Sequence, residues 1–304
     1  MPDDRPRETA ARALDVRAVD AALRRLARED RPPWLHAEVA RRMAERLPLV
    51  RLQPDVIVDW WGHGGASAEV LVRAYPRARR VVVEPTPALA ERSRGAAAAP
   101  WWSARRWARR DVEVRCDDPA PASARLLWSN MMLHAAVDPL ATMARWQRAL
   151  AADGFLMFSC LGPGSLRGLH ELYRAEAWGE PGAAFVDMHD LGDMLVASGF
   201  ADPVMDQETL TLTWDSPRAL LAELRTLGAN AAPARRPGWR TPRWHARLLE
   251  GLAALAGADG RLRLAFEIVY GHAFKAAPRA TPSGETSVPL EQMRAQLRAA
   301  RGRR

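Results

Sequence analysis

Val56-Ile57-Val58-Asp59 runs straight into Trp60-Trp61-Gly62-His63-Gly64-Gly65, and after a helical stretch Val81-Val82-Val83-Glu84 follows. A short buried strand, a glycine-containing turn, a helix and a second strand ending in an acid make half of a nucleotide-binding crevice. The glycines let the backbone approach a ligand closely, and the acid accepts hydrogen bonds from both hydroxyls of a ribose. That arrangement suits NAD, FAD and S-adenosylmethionine about equally, so the choice among them rests on the surrounding chain.

Upstream, residues 1–30 are polar, charged and helix-prone. Trp34, Leu35, Val39, Met43 and Leu47 then recur at near-helical spacing, an amphipathic helix closed off by Pro48 and Pro54. Downstream, helices are expected near 67–75, 88–94 and 139–150, and strands at 80–84, 111–116, 124–129 and 154–160. Alternation of this kind argues for a parallel sheet with helices on both faces. A helix near 190–198 ends at Gly199, suited to a left-handed C-cap. A strand at 203–214, a helical pair at 216–227 and 241–256, and a long strand at 262–275 complete the pattern. Five parallel strands, then two strands split by a helical insertion, is the layout of a class I methyltransferase: an α/β, Rossmann-like seven-stranded sheet whose last strand enters antiparallel beside the fifth. A dehydrogenase would instead supply a sixth parallel strand and a separate substrate domain. The expected organisation is an N-terminal helical segment over 1–50, a methyltransferase-like domain over 51–275 with an insertion at about 216–257, and a basic mobile tail over 276–304.

Bulk properties narrow the function. The chain has 304 residues, 48% of them hydrophobic, enough for a sizeable core. Its net charge of +8 is carried almost wholly by arginine, Lys275 being the sole lysine, and raises the local concentration of acidic partners. No zinc-finger spacing or RNA-binding signature accompanies the arginines, so no nucleic acid is expected. No stretch approaches the roughly 20 apolar residues that span a bilayer. The start, Met-Pro-Asp-Asp-Arg, lacks the apolar core of a secretion signal, and Cys116 and Cys160, on separate expected strands, make neither a disulfide framework nor a metal site. A cytoplasmic setting is expected. Residues 92–110 interleave six arginines with Trp101, Trp102 and Trp107 and carry no acid. They read as a solvated helix with inward tryptophans, or as a docking surface for an anionic partner.

The most specific signal lies between Gly154 and Trp214. Phe158-Ser159-Cys160-Leu161-Gly162-Pro163-Gly164-Ser165-Leu166, Phe185-Val186-Asp187-Met188-His189-Asp190-Leu191-Gly192-Asp193 and Gly199-Phe200-Ala201-Asp202-Pro203 resemble the malonyl-acyl-carrier-protein O-methyltransferases of biotin synthesis, the BioC-type family. Trp128-Ser129-Asn130-Met131-Met132-Leu133-His134 and Val269-Tyr270-Gly271-His272-Ala273 resemble that family's motifs too. The resemblance covers about residues 34–275. It implies transfer of a methyl group from S-adenosylmethionine to the free carboxylate of a malonyl thioester, with an acidic acyl carrier protein as partner. Such a carboxylate is already ionised at neutral pH, so no catalytic residue is expected. No metal is expected either, since beside the acids of the run over 187–193 only His189 supplies nitrogen and no second histidine lies at ligand spacing. By matching position, Asp59 with Gly62, Gly64 and Gly65 would face the methionine end of the cofactor and Glu84 would hold the ribose. Asp117 would take the adenine amine, while Asn130, Met131 and His134 would sit where cofactor and substrate meet. Asp117 also suits a turn before its Pro-rich segment, His134 a packing role, and Asp187 or Asp190 the cap of the following helix.

Two departures from the family pattern stand out. The usual Asp-x-Gly-x-Gly-x-Gly turn has Trp61 and His63 at its first two glycine positions, and only Gly65 keeps its place. Tryptophan does not readily take positive φ, so either the loop is rebuilt or the pocket is partly blocked. Upstream, Glu29-Asp30 stands where the family has a Tyr-Asp pair whose tyrosine closes over the cofactor. The alternative reading is therefore a catalytically weakened paralogue acting as a binding or assembly protein.

Overall fold

The structure, a computed structural model, describes residues 14–29, 31–98, 112–236 and 238–276. The arginine- and tryptophan-rich stretch over 99–111, Asp30 and the tail from 277 lie outside the described residues.

The valine-rich runs form the strands expected of them. β1 (Val56–Trp60), β2 (Arg79–Val83), β3 (Val112–Arg115), β4 (Ala124–Ser129), β5 (Leu150–Leu161), β6 (Ala201–Trp214) and β7 (Leu262–Phe274) make one sheet in the order β3-β2-β1-β4-β5-β7-β6. β1 to β5 pair in parallel, while β7 runs antiparallel to both β5 and β6. This is the class I methyltransferase topology. Its register sets Asp59 between Val82 and Trp128, so the carboxyl ends of β1, β2 and β4 come together at the reversal of strand order.

Helices α1 (Val16–Leu26), α2 (Trp34–Ala44), α3 (Gly62–Gly65), α4 (Ala68–Ala74), α5 (Pro87–Ala97), α6 (Pro139–Ala149), α7 (Arg167–Ala175), α8 (Met188–Ala197), α9 (Pro217–Thr226) and α10 (Pro242–Ala253) cover the faces. Several begin on one local signature. Thr86, Asp138, Ser216 and Thr241 each accept a backbone N–H through the side chain, and each is followed by a proline in the first turn. Asp187 caps α8 by accepting from His189 N at 2.8 Å, and Gly199 follows that helix with φ 86°.

Alternation along each strand divides the core. Ile57, Leu126, Phe155 and Phe266 pack with Leu35, Val39 and Met43 of α2 on one face, while Val58, Val81, Leu127 and Phe158 pack with Trp146, Leu191 and Leu195 on the other. α2 and the turn after it are fastened to the far edge of the sheet by Arg42–Glu208 and Arg46–Asp206 pairs, both 2.7 Å, with the Arg46 guanidinium 3.8 Å from the centre of the Tyr270 ring.

Some expectations shift. Trp34 is 59% exposed, because the phase that buries Leu35, Val39 and Met43 turns it outward. Trp60 ends β1 rather than opening the turn, with its indole edge-on to Trp146. Cys116 lies one residue beyond β3 and is exposed, whereas Cys160 is buried. α3 and α7 are helices that periodicity did not reveal. Among the described residues no helix is long and apolar enough to cross a membrane.

Candidate functional site

The turn after β1 is rebuilt. Trp61 adopts the left-handed conformation, φ 57° and ψ 46°, and caps the single helical turn Gly62–Gly65. This corrects the expectation that tryptophan would avoid positive φ, a conformation that costs about 1–2 kcal/mol. Two things offset the cost. The Trp61 N–H donates to Val83 O at 2.6 Å and its carbonyl accepts from Gly65 N at 3.0 Å. Its half-buried indole packs among apolar side chains that include Leu23 of α1 and Leu89 of α5. Gly62 admits no side chain, since a Cβ there would lie 2.6 Å from Asp59 Oδ2. The turn is thus rebuilt as a helix, with the indole packed toward α1 and α5.

Two carboxylates stand under this turn. Asp59 is 1% exposed, and burial pushes its pKa up to about 6 against the partial relief of Arg80, whose Nε lies 3.8 Å away. Glu84, equally buried, is pushed up to about 7, chiefly by burial. Its Oε1 accepts from Ser93 Oγ at 2.6 Å and from His63 N at 2.8 Å.

The other expected residues separate into three environments. Asn130 is fully buried and wholly engaged by protein. Its Nδ2 donates to His36 O (2.8 Å) and Gly65 O (2.6 Å), and its Oδ1 accepts from Ser159 Oγ at 2.7 Å. Met131, at φ 54°, is locked beside it, its N–H donating to the carbonyl and hydroxyl of Ser159. His134 accepts from Leu161 N at 3.4 Å and meets Phe185 edge-on. Asp117 is the outlier: its side chain is 76% exposed and paired with Arg115, which holds its carboxyl below the usual range. Gly64 is closely covered, with Met132 and Leu26 where a Cβ would go.

A cleft of about 40 Å³ opens beside the turn, lined by Leu23 and Leu26 of α1, His36 of α2, Met131, Met132 and His134 after β4, and Arg225 at the end of α9. Neither Asp59 nor Glu84 lines it. Glu29 does line it. His36 was missed by sequence reasoning, because a lone histidine on an apolar helix face carries no motif.

Glu84 Oε2, Asp59 Oδ1, His36 Nε2 and His63 Nε2 are all buried without a hydrogen-bond partner. Buried polar atoms nearly always find partners, so a cluster of orphans at one end of a sheet fits a polar ligand bearing hydroxyl and N–H donors. Among the described residues no group of three or more histidine, cysteine or acidic side chains could hold a metal ion.

No family profile matches the chain. Individual relatives do. A malonyl-[acyl-carrier protein] O-methyltransferase of Gallionella capsiferriformans is 36% identical over 277 residues, covering 89% of this chain and 94% of that one. One of Halorhodospira halophila is 36% identical over 301 residues, with 95% and 98% covered. One of Laribacter hongkongensis is 35% identical over 255 residues, with 82% and 86% covered. In fold alone, the chain is similar to the YcgJ protein of Bacillus subtilis, with a TM-score of 0.52 at 10% identity, covering 77% of this chain and 98% of that one. The [4+2]-cyclase SpnF gives 0.50 at 15% identity, with 82% and 85% covered.

Proposed function

The chain belongs to the malonyl-[acyl-carrier protein] O-methyltransferase family, and from that premise we propose that it esterifies the free carboxylate of a malonyl thioester on an acyl carrier protein. S-adenosylmethionine is the methyl donor, and the step serves biotin synthesis in the cytoplasm. One observation carries the reading of the site: the buried Glu84 carboxylate keeps an unpartnered oxygen beside the glycine turn, the position from which an acid receives ribose hydroxyls.

Glu84 would hold the ribose and Asp59 with Gly62, Gly64 and Gly65 the methionine end, while Asp117, exposed and paired with Arg115, would take the adenine amine only by sharing its carboxylate with that pair. Asn130 would act from beneath, fixing the Gly65 carbonyl. When bound, S-adenosylmethionine supplies a sulfonium methyl electrophilic enough for direct transfer. The protein need not remove a proton, because a carboxylate with an ordinary pKa near 4 is ionised at neutral pH. What remains for the chain is alignment and exclusion of water. Met131, Met132, Leu23 and Leu26 line the cleft with apolar surface that strips water from the nucleophile, and His134 borders it. Arg25 and Arg225 put positive charge at the same cleft, suited to an anionic acyl group or its acidic carrier. Arg145 and Arg148 are held by Asp118, which makes them a weaker carrier contact.

A ligand of this size requires α1 to lift, since its Leu26 sits on Gly64. The test is direct. Titrating the full chain with S-adenosylmethionine should give a saturable change in tryptophan fluorescence below millimolar concentration, because Trp61 packs between the turn and α1. Methyl-labelled donor should then esterify malonyl-acyl carrier protein, and the gene should rescue a biotin auxotroph lacking this activity. No saturable signal up to millimolar would sink the assignment.

A further inference from the structure

We propose that His36 is a specificity residue for the methyl donor, its Nε2 accepting a hydrogen bond from the donor's α-ammonium group. The inference rests on the reading of the crevice given above. It begins with a tautomer. His36 Nδ1 lies 2.7 Å from the carbonyl oxygen of Gly64. A carbonyl only accepts, so Nδ1 carries the proton and Nε2 carries a lone pair. That lone pair is buried and has no partner, although His36 is only 3% exposed and lines the cleft. An acceptor in such a place calls for a donor from the ligand.

The ligand group follows from the chemistry. Burial pushes the His36 pKa down to about 4, so the ring stays neutral at working pH and its lone pair is always available. An ionised carboxylate offers no proton and is repelled by a lone pair, which excludes the acyl carboxylate as partner. The ammonium group of an amino acid is the strong donor that the methyl donor carries. The ring is also pre-set. Its own backbone carbonyl accepts from Asn130 Nδ2, the same nitrogen that binds Gly65 O, so α2, the glycine turn and the segment after β4 hold it jointly. A fixed acceptor loses little entropy on binding.

The experiment compares S-adenosylhomocysteine with its desamino analogue, in which hydrogen replaces the α-amino group, by calorimetric titration of the full chain. Wild type should prefer the amino form by roughly 10- to 100-fold, the value of a hydrogen bond to a charged donor. His36→Phe should bind the two within about threefold, while His36→Gln, which keeps an acceptor, should restore most of the preference. A decarboxylated analogue should lose equally in all three proteins. Independently of any variant, nitrogen NMR of histidine-labelled protein should show His36 Nε2 shifting on addition of S-adenosylhomocysteine and not of the desamino analogue. Undiminished discrimination by His36→Phe, or none by wild type, overturns the role of His36 and leaves the methyl-donor site standing. Failure of wild type to bind S-adenosylhomocysteine at all removes the underlying reading and this inference with it.

Discussion

Glu84 and Asp59 are carboxylates taken out of water with less pairing than burial demands, and their cost is a measurable property of the ligand-free protein. The Glu84 pKa rises from 4.5 to about 7, so the folded state binds more protons than the unfolded state across that window. Stability is therefore highest at acid pH and falls as pH rises from about 4.5 to 7, by on the order of 3 kcal/mol. Asp59, raised to about 6, contributes in the same direction and is exhausted sooner. Thermal unfolding between pH 5 and 7.5 should show this decline, and Glu84→Gln should remove the part above pH 6. Ribose hydroxyls donating to Glu84 favour its ionised form. Affinity for S-adenosylmethionine should thus strengthen as pH rises toward 7 and then level off, with Glu84→Gln binding about 10- to 100-fold more weakly and without that slope. A pH-independent affinity in wild type would remove Glu84 from the ribose. Both acids were legible in the sequence because each follows directly on a valine-rich run, at the carboxyl end of a strand. Trp61 was misread for a definite reason: its left-handed backbone is compensated by Val83 and by packing from α1 and α5, none of which is local in sequence.

At the level of elements, β7 stands apart among the described strands, entering antiparallel between β5 and β6. Its Gly271 faces Phe158 across the ladder, and a Cβ at that position would lie 2.1 Å from the ring. Phe158 cannot retreat, because it is fully buried against Trp146 with ring centres 5.8 Å apart. Gly271→Ala should destabilise the fold by about 2–3 kcal/mol through overpacking, read as a lower urea midpoint. Adding Phe158→Leu should recover part of that loss, and additive effects in the double variant would disprove the clash. The Val-Tyr-Gly-His-Ala run that helped to identify the family is thus explained by packing at its glycine. Strands and capped helices were readable because their signals are local: period-2 burial, and a capping side chain followed by proline. α7 was missed because it opens at Leu166 with φ 58° and no capping side chain, and its inward Leu169 follows a Gly-Pro-Gly turn that reads as loop. α3 was missed because four residues with three glycines carry no helical periodicity at all.

For the molecule as a whole, the proposed crevice is covered by α1, and a nucleoside could enter it only if that cover moved. Among the described residues the attachments of the N-terminal helix are mostly polar, which makes it the candidate for the part that moves. Arg92 of α5 donates to the carbonyls of Ala27 (2.6 Å) and Arg28 (3.1 Å), just past the end of α1. Arg25 donates to Gly228 O, Asp15 pairs with Arg235 at 2.6 Å, and Asp15 N donates to Ala231 O at 2.9 Å. Among the described residues the apolar contact of α1 is a small cluster with Val19, Leu23 and Leu89 at its centre, together with Leu26 over Gly64, beside the two large clusters that hold the sheet. A segment held this way opens at a lower free energy than the sheet it covers. α1 and the stretch over 228–235 are tied to each other as well as to the crevice, so they should open together. Arg92→Ala removes, among its contacts, the hydrogen bonds from a charged donor to the Ala27 and Arg28 carbonyls, and amide exchange over residues 16–28 should accelerate by about 10-fold or more while the strands keep their protection. Saturating S-adenosylmethionine should slow exchange over α1 in both proteins, since the bound ligand gains contact only when the helix recloses. Equal acceleration of strand and α1 amides in Arg92→Ala would mean that the helix is part of one cooperative unit, and entry to the crevice would then have to come from the side of α9.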